Sequence, residues 1–200
     1  MLIEQTLFGK IDKVQIAIDR YKAFEPPDGY WLAYSGGKDS DVILELAKIS
    51  GVKFEAHYSV TSVDPPELIH YIRREHPEVA FDIPRDKDGC AITMWNLIPR
   101  KLMPPTRIVR YCCEIFKERS GVGRVTVTGV RRAESVRRKN NRNLVDIGDN
   151  RNGMILNDDN DESRRIVEQC YRTRKTLFNP IIDWTDEDVW EFHALHEIKH

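Results

Sequence analysis

The sequence predicts an α/β fold: a Rossmann-like, doubly wound and mainly parallel sheet with helices on both faces. Two observations predict it. Short β-branched or aromatic runs alternate with segments of helical periodicity. One of those runs, "YWLAY" at 30–34, breaks directly into "SGGKDS" and then an amphipathic segment. That is the strand–loop–helix order of a phosphate-binding α/β turn.

Each element has its own signal. Ile11, Val14, Ala17, Ile18 and Tyr21 recur at helical spacing, so the chain opens with a helix. "EPPDG" at 25–29 breaks it. "YWLAYS" is too short for a helix and suits a buried strand. From Asp39 to Ser50, Val42, Ile43, Leu46, Ala47 and Ile49 fall largely on one face, and Gly51 can end that helix. "FEAHYSV" (54–60) reads as a second strand, and "PPELIHYIRREH" (65–76) as a helix with proline in its first turn. "VAFDIP" (79–84), "RVTVTGV" (124–130) and the weaker "NPIIDW" (179–184) read as further strands. The Asn-, Asp- and Gly-rich region 139–163 reads as a long surface excursion with a short hairpin around "NRNG". "WTDEDVWEFHALHEIKH" begins a last helix, with Thr185 as N-cap and Asp188 three residues on.

Composition bounds the classes. The 200 residues suit a single domain over 1–200, with 40% hydrophobic and 32% charged residues. The net charge of −1 points to no particular partner. No segment approaches the roughly 20 apolar residues of a membrane span. The N-terminus does not read as a signal peptide, and four cysteines are too few for a disulfide scaffold. A cytoplasmic protein is expected.

The glycine loop carries the chemistry. Glycines let the backbone approach an anion closely. The following helix N-terminus adds free N–H groups and a partial positive charge. Lys38 adds a full charge, and Ser35 and Ser40 add hydroxyl donors. Together Ser35, Gly36, Gly37, Lys38, Asp39 and Ser40 make a phosphate cradle. It is not a Walker A loop, since Leu32 stands where that pattern needs glycine. The plain alternative is a simple turn with an exposed lysine.

"SGGKDS" resembles the pyrophosphate-binding loop of the N-type ATP pyrophosphatases, in the adenine-nucleotide alpha-hydrolase superfamily. "RYCCEIFKE" (110–118), "TGVRRAESVRR" (128–138) and "NPIIDWTDEDVWEF" (179–192) resemble, in order and spacing, elements of sulfonucleotide reductases. From 30 to 192 the chain is identified as a member of the phosphoadenosine phosphosulfate (PAPS) reductase family in the broad sense. The resemblance implies that the 35–40 loop holds phosphates and that backbone groups at Tyr58, Ser59 and Val60 read the adenine edge. It implies that Arg131 and Arg137, or Arg138, face anionic groups. Lys117 would add charge near the reacting group, making Lys38, Asp39, Lys117 and Arg131 the catalytic candidates.

The chain departs from the reductases in two ways. Its loop is intact, which favours ATP with Mg²⁺ and attack of an acceptor oxygen on the α-phosphate, in chemistry linked to sulfur transfer. Asp39 would help position the ion. Reduction of PAPS or adenylyl sulfate is the alternative, but no cysteine follows Cys170 to act as nucleophile. Cys112 and Cys113 match the pair that holds an iron–sulfur cluster in some relatives, yet no Cys-x-x-Cys follows to complete four thiolates. A C-terminal tail beyond His200 is therefore expected to be missing.

Weaker signals remain. His193, His196 and His200 share a helix side, where zinc is one reading and solvated histidines the plainer one. Six basic residues among 131–142 admit nucleic acid as a partner and a non-catalytic binding module as a third function. A solvated face with two nucleotide-binding arginines explains them more simply. Trp95, Trp184 and Trp190 are expected to pack in the core. Asp64 and Glu67 stand either toward substrate or, for Asp64, as a helix cap. The acceptor is some unidentified sulfur-containing or other substrate, and a homo-oligomer is compatible with the sequence.

Overall fold

The computed structural model describes residues 1–6, 9–106, 111–118, 120–134, 144–147 and 175–199. The chain opens not with a helix but with an antiparallel hairpin, β1 (Ile3–Thr6) and β2 (Gly9–Asp12). Ile11 therefore lies in a strand, and α1 (Lys13–Ala23) starts two residues later than its apolar spacing suggests. Asp12 fixes that start: its carboxylate accepts the N–H groups of Val14 and Gln15, at 3.0 and 3.1 Å.

The main sheet follows. β3 (Tyr30–Tyr34) leads through the glycine loop into α2 (Lys38–Ser50), then β4 (Phe54–Ser59), α3 (Pro66–Glu75) and β5 (Ala80–Asp82). Gly51 caps α2 with φ +69°, and Pro66 opens α3 at its first turn. α4 (Met94–Lys101) starts at a capping box of Thr93 and Asn96. A short helical turn α5 (Tyr111–Cys113) runs into a π-helical stretch, Glu114–Glu118. β6 (Val125–Val127), a 3₁₀ turn (Arg132–Glu134), β7 (Val145–Ile147), β8 (Thr176–Phe178) and α6 (Asp186–Leu195) complete the described elements.

The strand order is β5-β4-β3-β6-β8-β7, with every pair parallel except β7 against β8. The doubly wound sheet expected from the sequence is what forms. The chain moves one way from β3 through β4 to β5, then returns to β6 on the other side of β3. Right-handed crossovers then place α2 and α3 on one face and the α4–α5 region on the other. Two apolar clusters match: a main core including Tyr30, Leu32, Ile43, Leu46 and Phe178, and a smaller one of Met94, Leu97, Tyr111, Ile115 and Phe116. The carboxyl end of β3 sits where the strand order reverses, the usual ligand site of such sheets.

Three further expectations are corrected. Residues 179–184 form no strand. The strand is Thr176–Phe178, and a turn follows with Ile182 N–H donating to Asn179 O at 3.2 Å. Pro180 has no N–H to give a ladder, which ends the pairing, while Ile181, Ile182 and Trp184 still fill the core. Trp95 and Trp190 do not pack inside; they are 71% and 49% exposed. Each follows the buried face of its helix, set by Met94 and Leu97 in α4 and by Val189 and Phe192 in α6, by an unfavourable angle. The region 139–163 is not all excursion, since Val145–Ile147 pairs with β8. The hairpin placed around "NRNG" lies outside the described residues.

The N-terminal hairpin is fastened to α6 by charge. Lys13 Nζ lies 2.7 Å from Asp188 and 2.6 Å from Glu4, and Asp188 is wholly buried. Burial pushes the Asp188 carboxyl up, but hydrogen bonds from Lys13, the N-terminal ammonium and the Thr185 amide outweigh it and pull it down to about 2. A carboxyl depressed on folding stabilises the protein above its unfolded value and loses that contribution as pH falls toward the folded one. Asp188→Asn is expected to cost about 1.5–3 kcal/mol at neutral pH, the range for a hydrogen bond to a charged group. Melting curves of wild type and variant should converge as pH falls from about 5 toward 2.

Candidate active site

The chain leaves β3 through Ser35, Gly36 and Gly37. Gly36 has φ +72°, and a Cβ there would lie 2.4 Å from Leu68 Cδ1 of α3. Gly37 is the extended N-cap of α2. Ser40 fastens the turn: its Oγ accepts the Gly37 N–H at 2.9 Å and donates to Gly37 O at 2.7 Å. Ser35 Oγ reaches Ser40 Oγ at 3.3 Å. The Ser40 amide is taken by Gly37 O at 2.8 Å. Among the described residues, the first-turn N–H groups of Lys38 and Asp39 are left without a partner. The turn thus presents backbone donors, a helix N-terminus and a lysine together.

The end of β6 presses against this turn. A Cβ on Gly129 would lie 2.9 Å from Asp39 O, so the approach requires glycine. Two residues on, Arg131 is 1% exposed. Its Nε donates to Asp39 Oδ1 and its Nη2 to Asp186 Oδ1, both at 2.8 Å. Lys38 Nζ lies 3.1 Å from Asp186 Oδ1 and 3.4 Å from Asp39 Oδ2. Two cations and two carboxylates therefore form one closed group. The Arg131 guanidinium, with Lys38, holds the Asp186 carboxyl below the usual carboxylate range. From the far end of α6, His193 Nε2 donates to Lys38 O at 2.8 Å, so that nitrogen carries the proton.

Tyr58, Ser59 and Val60 lie beside the loop, since Tyr58 pairs in register with Tyr34. Tyr58 is buried in the core, and the Val60 amide donates to Asp82 O at 2.9 Å. That amide is therefore committed to the sheet. A cavity of about 260 Å³ follows, lined by Val60, Ser62, Asp64, Pro66, Ile69 and His70. Asp64 does not cap α3; it accepts from the Thr61 hydroxyl and amide in its own loop. Burial pushes its carboxyl up, but those bonds, helped by the Lys117 charge, leave it below the usual range. Lys117 itself lies in the π-helical stretch and is exposed. A larger cleft of about 580 Å³, beside Trp31, Asp82, Arg85 and Phe116, lies on the other face, away from the glycine turn.

Cys112 and Cys113 sit with sulfurs 4.0 Å apart, and burial together with Cys113 pushes the Cys112 thiol up. Among the described residues no three His, Cys, Asp or Glu side chains are grouped to hold a metal. The described residues thus do not complete a cluster or zinc site; Cys170 and His200 lie outside them, as do Arg137 and Arg138. The sequence reading missed three participants. Asp186 was hidden in an acidic first turn, His193 reads from sequence as a solvated histidine or a zinc ligand, and Gly129 gave no sign of its close approach.

Comparison with known proteins assigns the chain to a family. The chain matches the family described as phosphoadenosine phosphosulfate reductase domain over residues 29–200. It belongs to that family. No curated protein matches it by sequence. Among solved structures it is similar to the phosphoadenylyl-sulfate (PAPS) reductase from Candida auris, in a phosphate complex, at 12% identity and a TM-score of 0.53, covering 92% of this chain and 80% of that one. It also matches the Candida glabrata FMN adenylyltransferase at 11% identity and a TM-score of 0.45, covering 90% of this chain and 55% of that one. The PAPS reductase likeness establishes a shared fold. No helix among the described residues is long and apolar enough to cross a membrane.

The two loop glycines should separate in mutagenesis. Gly36→Ala meets both a left-handed φ and Leu68, and should cost about 1–2 kcal/mol. Gly37→Ala places its Cβ no closer than 3.6 Å to Ser35 Oγ, and thermal melts should show little loss.

Proposed function

We propose that this protein binds an adenine nucleotide with its phosphates on the 35–40 turn. We further propose that it splits ATP between the α- and β-phosphates, transferring the adenylyl group to an acceptor in sulfur-transfer chemistry. The observation that carries the reading is the intact turn itself: Gly36 in the left-handed region, the Lys38 and Asp39 amides open, and Lys38 beside them. An acceptor oxygen would attack the α-phosphorus, and the bond to the α–β bridging oxygen would break. The open amides and Lys38 would take up the charge of the departing pyrophosphate. The nucleotide would bring its own Mg²⁺, since Asp39 is engaged by Arg131. The base would rest in the cavity beside Val60.

Arg131 acts in this reading by positioning rather than by touching the nucleotide, because it is buried and paired. Lys117, which is exposed, would supply the further charge. Reduction of an adenylated sulfate is the second reading. It needs a thiolate, and the raised Cys112 thiol does not favour one there.

Calorimetric titration with Mg·ATP and separately with PAPS tests the choice. Wild type should prefer Mg·ATP, and Lys38→Ala should weaken that binding at least about tenfold, as loss of a charge-assisted contact does. Preference for PAPS, or binding indifferent to Lys38, would overturn the ATP reading.

A further inference from the structure

Lys38 has a partner where a phosphate would need it. Its ammonium lies 3.1 Å from Asp186 Oδ1, and the same oxygen accepts from Arg131 Nη2 at 2.8 Å. The four charges of Lys38, Arg131, Asp39 and Asp186 sum to zero, so the cationic face of the turn is neutralised from within. The two carboxylates differ. Asp39 belongs to the first turn of α2, its backbone is wedged against Gly129, and its side chain is 24% exposed. Asp186 stands at the first position of α6 with its side chain 60% exposed. The cations differ too: Arg131 is out of reach, while Lys38 is 27% exposed and accessible.

We propose that Asp186 is an internal stand-in for phosphate, a carboxylate that holds Lys38 until a polyphosphate displaces it and so discriminates against weakly charged anions. This rests on the reading of the 35–40 turn as a phosphate site. Pyrophosphate, with several negative oxygens for Lys38 and the open amides, outcompetes one carboxylate. Inorganic monophosphate and sulfate, with fewer contacts and less charge, do so less well. Asp186 thereby sets a threshold for which anions enter, without touching the ligand once it is seated.

Binding of pyrophosphate and of monophosphate, without metal, is measured by calorimetry for wild type, Asp186→Asn, Asp186→Ser and Lys38→Ala. Asparagine retains an oxygen for Arg131, and serine removes the carboxylate by a different route; thermal melts verify that each variant is folded. Both Asp186 variants should tighten pyrophosphate about two- to fivefold, the upper span of an exposed ion pair, and should narrow the preference for pyrophosphate over monophosphate. If Lys38→Ala weakens pyrophosphate while neither Asp186 variant tightens it, the inference falls and the phosphate site stands. If wild type and Lys38→Ala are alike in failing to bind, the phosphate site falls and takes the inference with it.

Discussion

The buried guanidinium of Arg131 is the constraint on which the site depends. It joins three elements distant in sequence: the segment after β6, the start of α2 through Asp39, and the start of α6 through Asp186. A buried charge is tolerable only when its donors are satisfied, and removal of one partner is more costly than the pair is stabilising. The alignment of the glycine turn with the end of β6 follows from that requirement. Gly129 makes the alignment sterically feasible, because any side chain there would strike the Asp39 carbonyl.

Helix α6 extends the same logic across the molecule. Its first turn supplies Asp186 to the turn and Asp188 to Lys13 of α1. Its last turn supplies His193 to the Lys38 carbonyl. One helix therefore holds both the N-terminal hairpin and the first turn of α2. The aromatic packing of Tyr21, Tyr30 and Phe178, with Tyr21 OH donating to Ile43 O at 2.8 Å, ties α1 and α2 to the sheet beneath them. The backbone of α2 is thus held at Lys38 by α6 and at Ile43 by α1, while the Lys38 ammonium stays accessible.

The parallel sheet was legible because its signals are local. β3, α2 and α3 each announce themselves through periodicity, Gly51 or Pro66, and "SGGKDS" places the site by composition alone. What was not legible depends on distance. The β1–β2 hairpin is short and its side chains largely exposed, so no alternating apolar face marks it. Ile181, Ile182 and Trp184 read as a strand because they are apolar, although Pro180 had already ended the ladder. Trp95 shows that an aromatic residue one step past a buried face points outward whatever its hydrophobicity. In the site, Lys38 and Asp39 were named from the motif, but that Asp186 and Arg131 neutralise them arises from contacts across 92 to 148 positions. No local pattern encodes such pairings.

The central claim is that the 35–40 turn, and not the cleft on the opposite face, receives the nucleotide phosphates. The eleven glycines make it directly observable. A two-dimensional amide spectrum of protein labelled with ¹⁵N-glycine, titrated with Mg·ATP, reports each glycine separately. The account predicts that Gly36, Gly37 and Gly129 shift together while Gly9, Gly51 and Gly89 stay in place. Shifts confined to Gly121, beside Trp31 in the cleft on the other face, would contradict it.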